Sequence, residues 1–296
     1  MNAPFVLYSL VAVATVLWSA NFIVAKVALR EFPPLLLGAL RIGFAGIFLA
    51  PIYWQDTRAA RKKWWPGGKV SLLVFLAICN VGNQLLFIAG LNRTSPAHSA
   101  WIFGASPIFV LLIAARIGLE RITARKMAGM ALALGGVVFL AQQASRQPGA
   151  HFVQATPAGD VISALGAVLF SLFAVYAKKA TERYGTITVN GFAYVFGALL
   201  LAPVIIWQSR GFPFAHVSAI GWTGLVYMAV FPSAVCYMIY YHALTRISAS
   251  RLAAFVYLEP VIATILAVAF LGERMTTPLV ASGTVIFSGV YLTERG

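Results

Sequence analysis

The sequence repeats itself at a fixed spacing, and this internal duplication limits the fold more than any single residue does. At an offset of 153 residues, and without a gap, residues of the first half recur unchanged in the second, among them eight that mark the repeated stretch. Leu91, Arg93, Ser95, Ala100, Pro107, Glu120, Arg121 and Thr123 match Leu244, Arg246, Ser248, Ala253, Pro260, Glu273, Arg274 and Thr276. Near the start of each half, Leu17, Ser19, Ala25 and Lys26 match Leu169, Ser171, Ala177 and Lys178 at an offset of 152. The chain is therefore built from two copies of one unit.

The composition places both copies in a membrane. Hydrophobic residues make up 60% of the 296 residues and charged residues only 10%, with a mean hydropathy of +0.85. A soluble domain contains roughly 25% charged residues. Because a helix needs about 20 apolar residues to cross the hydrocarbon, we predict an all-α integral membrane protein with ten transmembrane helices. The predicted spans are 5–28, 34–54, 70–91, 95–116, 126–143, 158–179, 187–207, 218–242, 249–271 and 277–293.

The distribution of Lys and Arg predicts the orientation of these helices. The loops between helices 2–3, 4–5, 6–7 and 8–9, together with the C-terminus, hold fifteen of the 22 basic residues. The loops on the other side hold six, and Arg41 lies within a span. We therefore predict that both termini are cytoplasmic. Because the net charge of +14 reflects this pattern, we expect no nucleic-acid partner.

Each copy contains five predicted helices, and this odd number means that the second copy enters the membrane from the opposite face. We predict a first repeat at 1–145, a linker at 146–157 and a second, inverted repeat at 158–296. Inverted repeats around a central cavity are associated with secondary transport, because two opposed halves can rock about a site between them. The duplication therefore favours transport by alternating access.

Sequence motifs of other chemistries are missing. The chain has no GxxxxGK[ST] phosphate loop, no HExxH motif and no pair of Asp-rich magnesium-binding clusters. Its two cysteines, Cys79 and Cys236, lie in apolar runs without metal-ligand spacing. We therefore expect no enzymatic activity, no cofactor and no metal site. A membrane-embedded enzyme acting on lipid-linked substrates and a non-transporting scaffold stay open as remote alternatives.

One carboxylate, Glu259, lies in the middle of a predicted span, and the equivalent residue in the first copy is Ser106. An unpaired charge in hydrocarbon is unfavourable, so Glu259 must face water, pair with a cation or be protonated. We predict that it receives a substrate ammonium group or carries a proton. The alternative is a buried salt bridge with Arg41. That arginine could otherwise bind a substrate carboxylate, or only pack between helices.

Polar and aromatic residues cluster in a few of the predicted helices. Asn80, Asn83 and Gln84 share one face of helix 3, and His98 and Trp101 share a face of helix 4. Such residues either line a wet cavity or hydrogen-bond a neighbouring helix. The residues that we predict to line a substrate cavity are Trp18, Asn21, Asn80, Asn83, Gln84, His98, Trp101, Tyr237, Tyr257 and Glu259.

Two prolines occupy equivalent positions in the middle of helices 4 and 9. Pro107 and Pro260 each remove a backbone hydrogen bond and permit a bend, so we predict that they act in gating. Pro232 in helix 8 is a weaker candidate, because no proline occupies the equivalent position of the first copy. Helices 5 and 10 are rich in glycine, which is typical of closely packed supporting helices.

At the level of whole motifs, the chain resembles the drug/metabolite transporter superfamily, the ten-helix exporters with two EamA-type repeats. The resembling features are Trp18-Ser19-x-Asn21-Phe22, Arg41 and the two Pro-to-Glu-Arg stretches, 107–121 and 260–274. The resemblance implies a bacterial inner-membrane exporter of small metabolites with a cavity between its halves. The aromatic content and the region around His98 and Trp101 are similar to the aromatic amino-acid exporters of the YddG type.

We therefore predict a secondary active transporter that exports amino acids, including aromatic ones, and related small metabolites from the cytoplasm. The alternative within the superfamily is a broad-specificity drug carrier, or a carrier of nucleotide sugars or nucleosides. The expected partners are the small-molecule substrate and the lipid bilayer, with protons as a candidate coupling ion. We expect the protein to be a monomer.

Overall fold

The computed structural model describes residues 3–59, 70–93, 102–145, 156–259, 261–262, 265–266 and 277–296. The predicted cavity residues His98 and Trp101 and the predicted hinge Pro260 lie outside these ranges. Within them the chain forms ten main helices and no strand. They are α1 (Ala3–Ala28), α2 (Pro34–Ala59), α3 (Val70–Leu91), α4 (Ser106–Arg116), α5 (Ala124–Ser145), α6 (Pro157–Tyr184), α7 (Thr186–Ser209), α8 (Ala219–Leu244), α9 (Ala249–Leu258) and α10 (Thr277–Glu294).

This architecture confirms the predicted all-α membrane fold. Of the helices in the described ranges, six are long and apolar enough to cross a membrane: α1, α2, α3, α6, α7 and α8. Two shorter apolar helices, Ile102–Arg116 and Ala249–Leu258, fall within the predicted fourth and ninth spans. Where the predicted boundaries fall in the described ranges, they agree with the structure to within two residues at most helix ends. The exceptions are the ends of α2 and α6, which continue to Ala59 and Tyr184, five residues beyond the prediction.

The bounds of α6 illustrate how the sequence sets the ends of a helix. Thr156 caps its first turn by accepting a hydrogen bond from the Gly159 N–H at 3.1 Å, and Pro157 occupies the first turn, where a missing N–H is harmless. At the other end Gly185 adopts a φ of 85°, a conformation that favours glycine and stops the helix. The chain therefore turns within a single residue from α6 into α7.

The two copies pack against each other through related pairs of helices. α2 packs along its equivalent α7, and α5 packs along its equivalent α10. α3 packs against α6, and the equivalent pair, α8 and α1, is also in contact. Glycine permits the closest of these approaches: a Cβ atom on Gly289 would lie 2.5 Å from the Ala133 backbone nitrogen. α5 and α10 are thus in backbone contact, as their glycine content predicts.

The start of α1 and the end of α10 lie at one end of the helix bundle, which we call the terminal end. The Tyr8 hydroxyl, at the start of α1, donates a hydrogen bond to Glu294 at the end of α10. At the same end, the Glu120 carboxylate accepts hydrogen bonds from the Ser250 N–H at 3.0 Å, from the Ser250 hydroxyl and from Lys126 Nζ at 2.9 Å. Burial raises the pKa of Glu120, but these hydrogen bonds and the Lys126 charge outweigh burial and hold the pKa below its usual value.

The opposite end of the bundle is joined by two contacts between loops and helix starts. Glu31, after α1, accepts hydrogen bonds from the N–H and the hydroxyl of Ser218, the residue that caps α8, at 2.6 and 2.7 Å. These bonds lower the pKa of the Glu31 carboxyl. Thr156, before α6, donates its hydroxyl to the Arg93 carbonyl at 2.7 Å. The two ends of the bundle are therefore held by different polar contacts.

Candidate functional site

An irregular turn in the middle of α8 shapes the centre of the protein. Residues Ala229–Val235 form a π-helical turn that contains Pro232. Proline has no N–H to donate to the Met228 carbonyl, which instead accepts a hydrogen bond from the Ser233 hydroxyl at 2.9 Å. The Cys236 N–H bonds to the Phe231 carbonyl, one residue further back than in an α-helix, and the Pro232 carbonyl accepts Trp18 Nε1 at 3.1 Å. Pro232 thereby fixes Trp18 of α1, although its lack of a repeat partner made it a weak candidate.

A cavity of about 90 Å³ lies between the two halves beside this turn. Seven helices or their immediate ends contribute to its wall. The lining residues are Trp18, Asn21, Arg41, Asn83, Gln84, Phe87, Phe103, Ser106, Phe170, Tyr237, Val256 and Glu259. Since one water needs about 10–15 Å³, the space holds several waters. It is smaller than the about 150 Å³ that receives a benzene ring, so an aromatic ligand requires a conformation in which the cavity is wider.

The structure brings six of the predicted site residues together in this wall. They are Trp18, Asn21, Asn83, Gln84, Tyr237 and Glu259. Asn80 lies behind the wall, where its side-chain oxygen accepts Gln84 Nε2 at 3.2 Å. Tyr257 is fully buried in a separate cluster with Leu111 and Met130 and is not among the lining residues.

Pro107 has a different setting from the mid-helix position that the sequence suggested. It lies in the first turn of α4, just after an interruption at Ala105 that separates α4 from a short helical turn at 102–104. In a first turn the missing N–H of proline breaks no helical hydrogen bond. The irregularity in this helix therefore precedes Pro107, and the proline starts the next helical stretch.

A hydrogen-bonded network fixes the polar side of the cavity. Arg41 Nε donates to the Ser233 hydroxyl at 2.8 Å, and Gln84 Nε2 donates to the Tyr194 hydroxyl at 2.9 Å. The Ser233 hydroxyl also lies 3.3 Å from Gln84 Oε1. These side chains come from α2, α8, α3 and α7, and Arg41 is only 3% exposed. The network holds a buried guanidinium group at the cavity wall in a defined position.

A basic and an acidic side chain, Arg41 and Glu259, line the same cavity without forming an ion pair. In the part of the chain that the structure describes, Glu120 and Lys126 form an ion pair, but none within 4.0 Å joins Arg41 to Glu259. The alternative of a packing salt bridge between these two residues is therefore not realised. A buried charge without a partner is unfavourable, so both groups are poised to bind charged or polar groups that enter the cavity.

Aromatic side chains form the rest of the wall. The Trp18 ring contacts the Tyr237 ring edge-on, with centroids 5.5 Å apart, and Phe87 contacts Phe103 in the same way at 5.3 Å. Towards the terminal end the wall thickens into a buried cluster of Phe173, Tyr237, Tyr240 and Tyr241. Such rings offer a large apolar contact surface, and the cluster lies on the terminal side of the cavity.

Four pairs of lining residues occupy equivalent positions in the two copies. They are Trp18 with Phe170 at an offset of 152, and Gln84 with Tyr237, Phe103 with Val256 and Ser106 with Glu259 at an offset of 153. The two copies therefore contribute equivalent positions to the wall of the cavity. Phe103, Phe170 and Val256 were missed by the sequence reasoning, and the repeat alignment was the signal that could have found them.

Among the described residues, no group of three or more His, Cys, Asp or Glu side chains could hold a metal ion. Asn21 is 6% exposed, and its Oδ1 atom accepts no hydrogen bond within the described ranges. The cavity thus presents an arginine, a carboxylate and an amide oxygen within aromatic walls. This arrangement suits a small ligand that carries both charges and an apolar part.

The comparisons with known proteins point in the same direction. A model of the EamA-like transporter family matches residues 6–142 and 157–295. An uncharacterized transporter of Archaeoglobus fulgidus is 27% identical, over 96% of each chain. A probable terminal-alkyne amino-acid exporter of Streptantibioticus cattleyicolor is 27% identical, over 95% of this chain and 90% of its own. YedA, an uncharacterized inner membrane transporter of Escherichia coli, is 22% identical, over 94% and 87%.

A solved crystal structure superimposes on this one with a TM-score of 0.76, over 96% of this chain and 94% of its own. Its sequence is 21% identical, so the similarity shows a shared fold. The matched family and the relatives named above are transporters, which excludes the enzyme alternative.

Proposed function

Because this chain belongs to the EamA-like transporter family of the drug/metabolite transporter superfamily, we propose that it exports amino acids with apolar side chains, including aromatic ones. One observation carries the proposal: Arg41 and Glu259 line one aromatic-walled cavity and form no ion pair with each other. The amino-acid exporter of Streptantibioticus cattleyicolor among the relatives gives further support.

The charges of an amino acid complement those of the cavity. The Arg41 guanidinium would bind the substrate carboxylate, for which its planar fork of donors is suited. Glu259 would accept the ammonium group, assisted by the amide oxygen of Asn21. The apolar side chain would pack against Trp18 and Tyr237. Asn83 and Gln84 would complete the polar side of the site, with Asn80 supporting Gln84 from behind.

Transport would proceed by alternating access between two inverted repeats, 1–145 and 158–296, joined by the linker 146–157. Two observations support the inversion: each matched stretch holds five helices, and α1 starts at the terminal end, where its equivalent α6 finishes. Lys178, near the end of α6, donates to the Leu244 carbonyl at the end of α8 at 2.9 Å. The irregularities at Pro107 and Pro232, together with Pro260, would absorb the rocking motion.

The orientation proposed from the basic loops places the terminal end in the cytoplasm of a bacterial inner membrane. The aromatic cluster and the Glu120 contacts then close the cytoplasmic side of the cavity, so this conformation would release substrate outward. Protons are the proposed coupling ion, and the monomer is the proposed transporting unit. His98, Trp101 and Tyr257 stay candidates for contacts made in other steps of the cycle.

Counterflow into proteoliposomes tests this function directly. Vesicles loaded with unlabelled leucine or phenylalanine should accumulate the labelled amino acid, whereas empty control vesicles should not. Nucleosides, nucleotide sugars and cationic dyes form the second arm of the experiment. Counterflow of dyes or nucleosides without any amino acid would favour the broad-specificity alternative and overturn the amino-acid assignment.

A further inference from the structure

A second, smaller pocket adjoins the central cavity on the far side of Glu259. It measures about 10 Å³ and lies between α1, α8 and α9. Trp18, Val256 and Glu259 line both spaces, so these three residues form the partition between them. Thr15 and Tyr240 line the small pocket and do not line the central cavity. Glu259 can therefore be reached from two separate spaces.

The small pocket has the dimensions and the polar groups of a site for a single water. A water needs about 10–15 Å³ by this measure and two to four polar partners. The Tyr240 hydroxyl belongs to a side chain that is 2% exposed, and it has no hydrogen-bond partner among the described residues. The Thr15 hydroxyl donates to the Val11 carbonyl at 2.8 Å, which leaves its oxygen free to accept. Glu259 supplies the third polar group.

We propose that this pocket holds a water that delivers protons to Glu259, so that Glu259 can be protonated without passage through the substrate cavity. The proposal rests on the transport function and on Glu259 as its coupling residue. A hydronium ion in the pocket gives one proton to a Glu259 carboxylate oxygen, which leaves a neutral water and a neutral carboxyl group. Tyr240 is a positioning residue: its hydroxyl accepts a hydrogen bond from the hydronium ion, donates to the neutral water that remains after the transfer, and keeps its own proton.

The surroundings of Glu259 support a route from the terminal end. Tyr240 lies one helical turn before the end of α8 at Leu244, on the terminal side of the pocket. The charged or titratable groups that face Glu259 are Arg41 across the central cavity and Cys236, Tyr237 and Tyr240 of α8. The lining residues of α1 and α4 within the described ranges carry no such group. The lining of the small pocket carries no positive charge, so none lies between Tyr240 and Glu259.

The three polar side chains of the small pocket supply at most four oxygens, which are too few for a hard metal cation, because such cations prefer about six oxygen ligands. The geometry thus favours a proton carrier over a metal cation. Replacement of Tyr240 by phenylalanine should need no repacking of the neighbouring side chains, since Phe87 occupies the equivalent position in the first copy. The fold therefore already accommodates phenylalanine at one of these two related positions.

The test compares Tyr240→Phe with Tyr241→Phe in proteoliposomes. Tyr241 is a matched control, because its hydroxyl is also buried and unpartnered among the described residues but does not line the small pocket. We expect Tyr240→Phe to slow amino-acid transport driven by a pH gradient about five- to tenfold, the effect of one lost hydrogen bond. Counterflow at equal pH on both sides should change less than twofold, and Tyr241→Phe should change neither rate.

The pH profile of gradient-driven transport provides the readout that a purely structural role would not move. Tyr240→Phe should displace the profile, and Thr15→Val should displace it in the same direction by a smaller amount. Equal gradient-driven rates for wild type and Tyr240→Phe would overturn the proposal. It would also be overturned if a pH gradient did not change the rate of transport by the wild type. If the wild type carries only another substrate, the amino-acid assignment fails, and the same comparison on that substrate still decides the proton route.

Discussion

The buried Glu120 cluster at the terminal end offers a stability prediction whose size follows from its contacts. Its carboxylate side chain is 6% exposed and bonds to the Ser250 N–H, to the Ser250 hydroxyl and to Lys126. Lys126 itself is 8% exposed, so the ion pair is shielded from water. The cluster joins the loop after α4 to the start of α9.

Replacement of Glu120 by Ala would leave the Lys126 ammonium group buried without its partner and would remove the acceptor of the Ser250 N–H. Breaking one side of a buried pair is unfavourable by about 3–5 kcal/mol, and we expect a loss of this order. Glu120→Gln keeps an acceptor for Ser250 but loses the charge, so its loss should be about 1.5–3 kcal/mol. The paired replacement Glu120→Leu with Lys126→Met removes both charges and should recover the part of the loss that comes from the unpaired Lys126, while the part due to the lost Ser250 hydrogen bonds remains.

The same cluster sets a pH dependence. Because the pKa of Glu120 is lower in the folded protein than its ordinary value of 4.5, its stabilisation is complete above that value. The stabilisation is lost as the pH falls through the lower, folded pKa. The unfolding temperature of the detergent-solubilised protein, followed by tryptophan fluorescence, should show this. The gap between wild type and Glu120→Gln should be full at pH 7 and should narrow below pH 4. An unfolding temperature of Glu120→Ala equal to that of wild type would refute the reasoning.

Three further outcomes follow from the structure. Glu259→Gln should weaken phenylalanine binding, measured by titration calorimetry, about 10- to 150-fold, which is the effect of losing a charge-assisted hydrogen bond. Binding of the deaminated acid, which has no ammonium group, should stay within about threefold. Equal losses for both ligands would contradict the ammonium contact. Gly289→Val should abolish folded protein in size-exclusion chromatography, because its Cβ atom would overlap the Ala133 nitrogen at 2.5 Å. Pro232→Ala should preserve folding but restore a regular α-helix in α8. The carbonyl of residue 232 would then no longer accept the Trp18 Nε1 hydrogen bond, and counterflow should be slower. An unchanged counterflow rate would show that the π-helical turn has no role in transport.

The sequence predicts the helices of this protein well because their signals are local and strong. Long apolar runs, the capping residue Thr156 and the helix-stopping Gly185 act within a few residues of each boundary. The duplication adds information about the cavity that no single helix contains. It relates Trp18 to Phe170 and Ser106 to Glu259, and all four line the cavity.

The parts that escaped the sequence depend on packing between distant helices. Tyr257 carries the same polar group as Tyr237, yet one is buried against α5 and the other faces the cavity. Only the rotation of each helix decides between these two positions. Pro232 acts through the carbonyl that it presents to Trp18, a contact 214 residues apart in sequence. The partition that Glu259 forms between two spaces is likewise visible only when three helices are assembled.

The recognition of a zwitterion by Arg41 and Glu259 is the central claim, and counterflow with three matched ligands tests it most directly. Phenylalanine, its deaminated acid and its decarboxylated amine share one apolar group and differ in charge. We expect counterflow of phenylalanine at a rate at least about tenfold above that of either analogue, because each analogue lacks one charge-assisted contact. Equal rates for the amine and for phenylalanine would contradict a role of Arg41 in binding the carboxylate, and equal rates for all three would contradict the account as a whole.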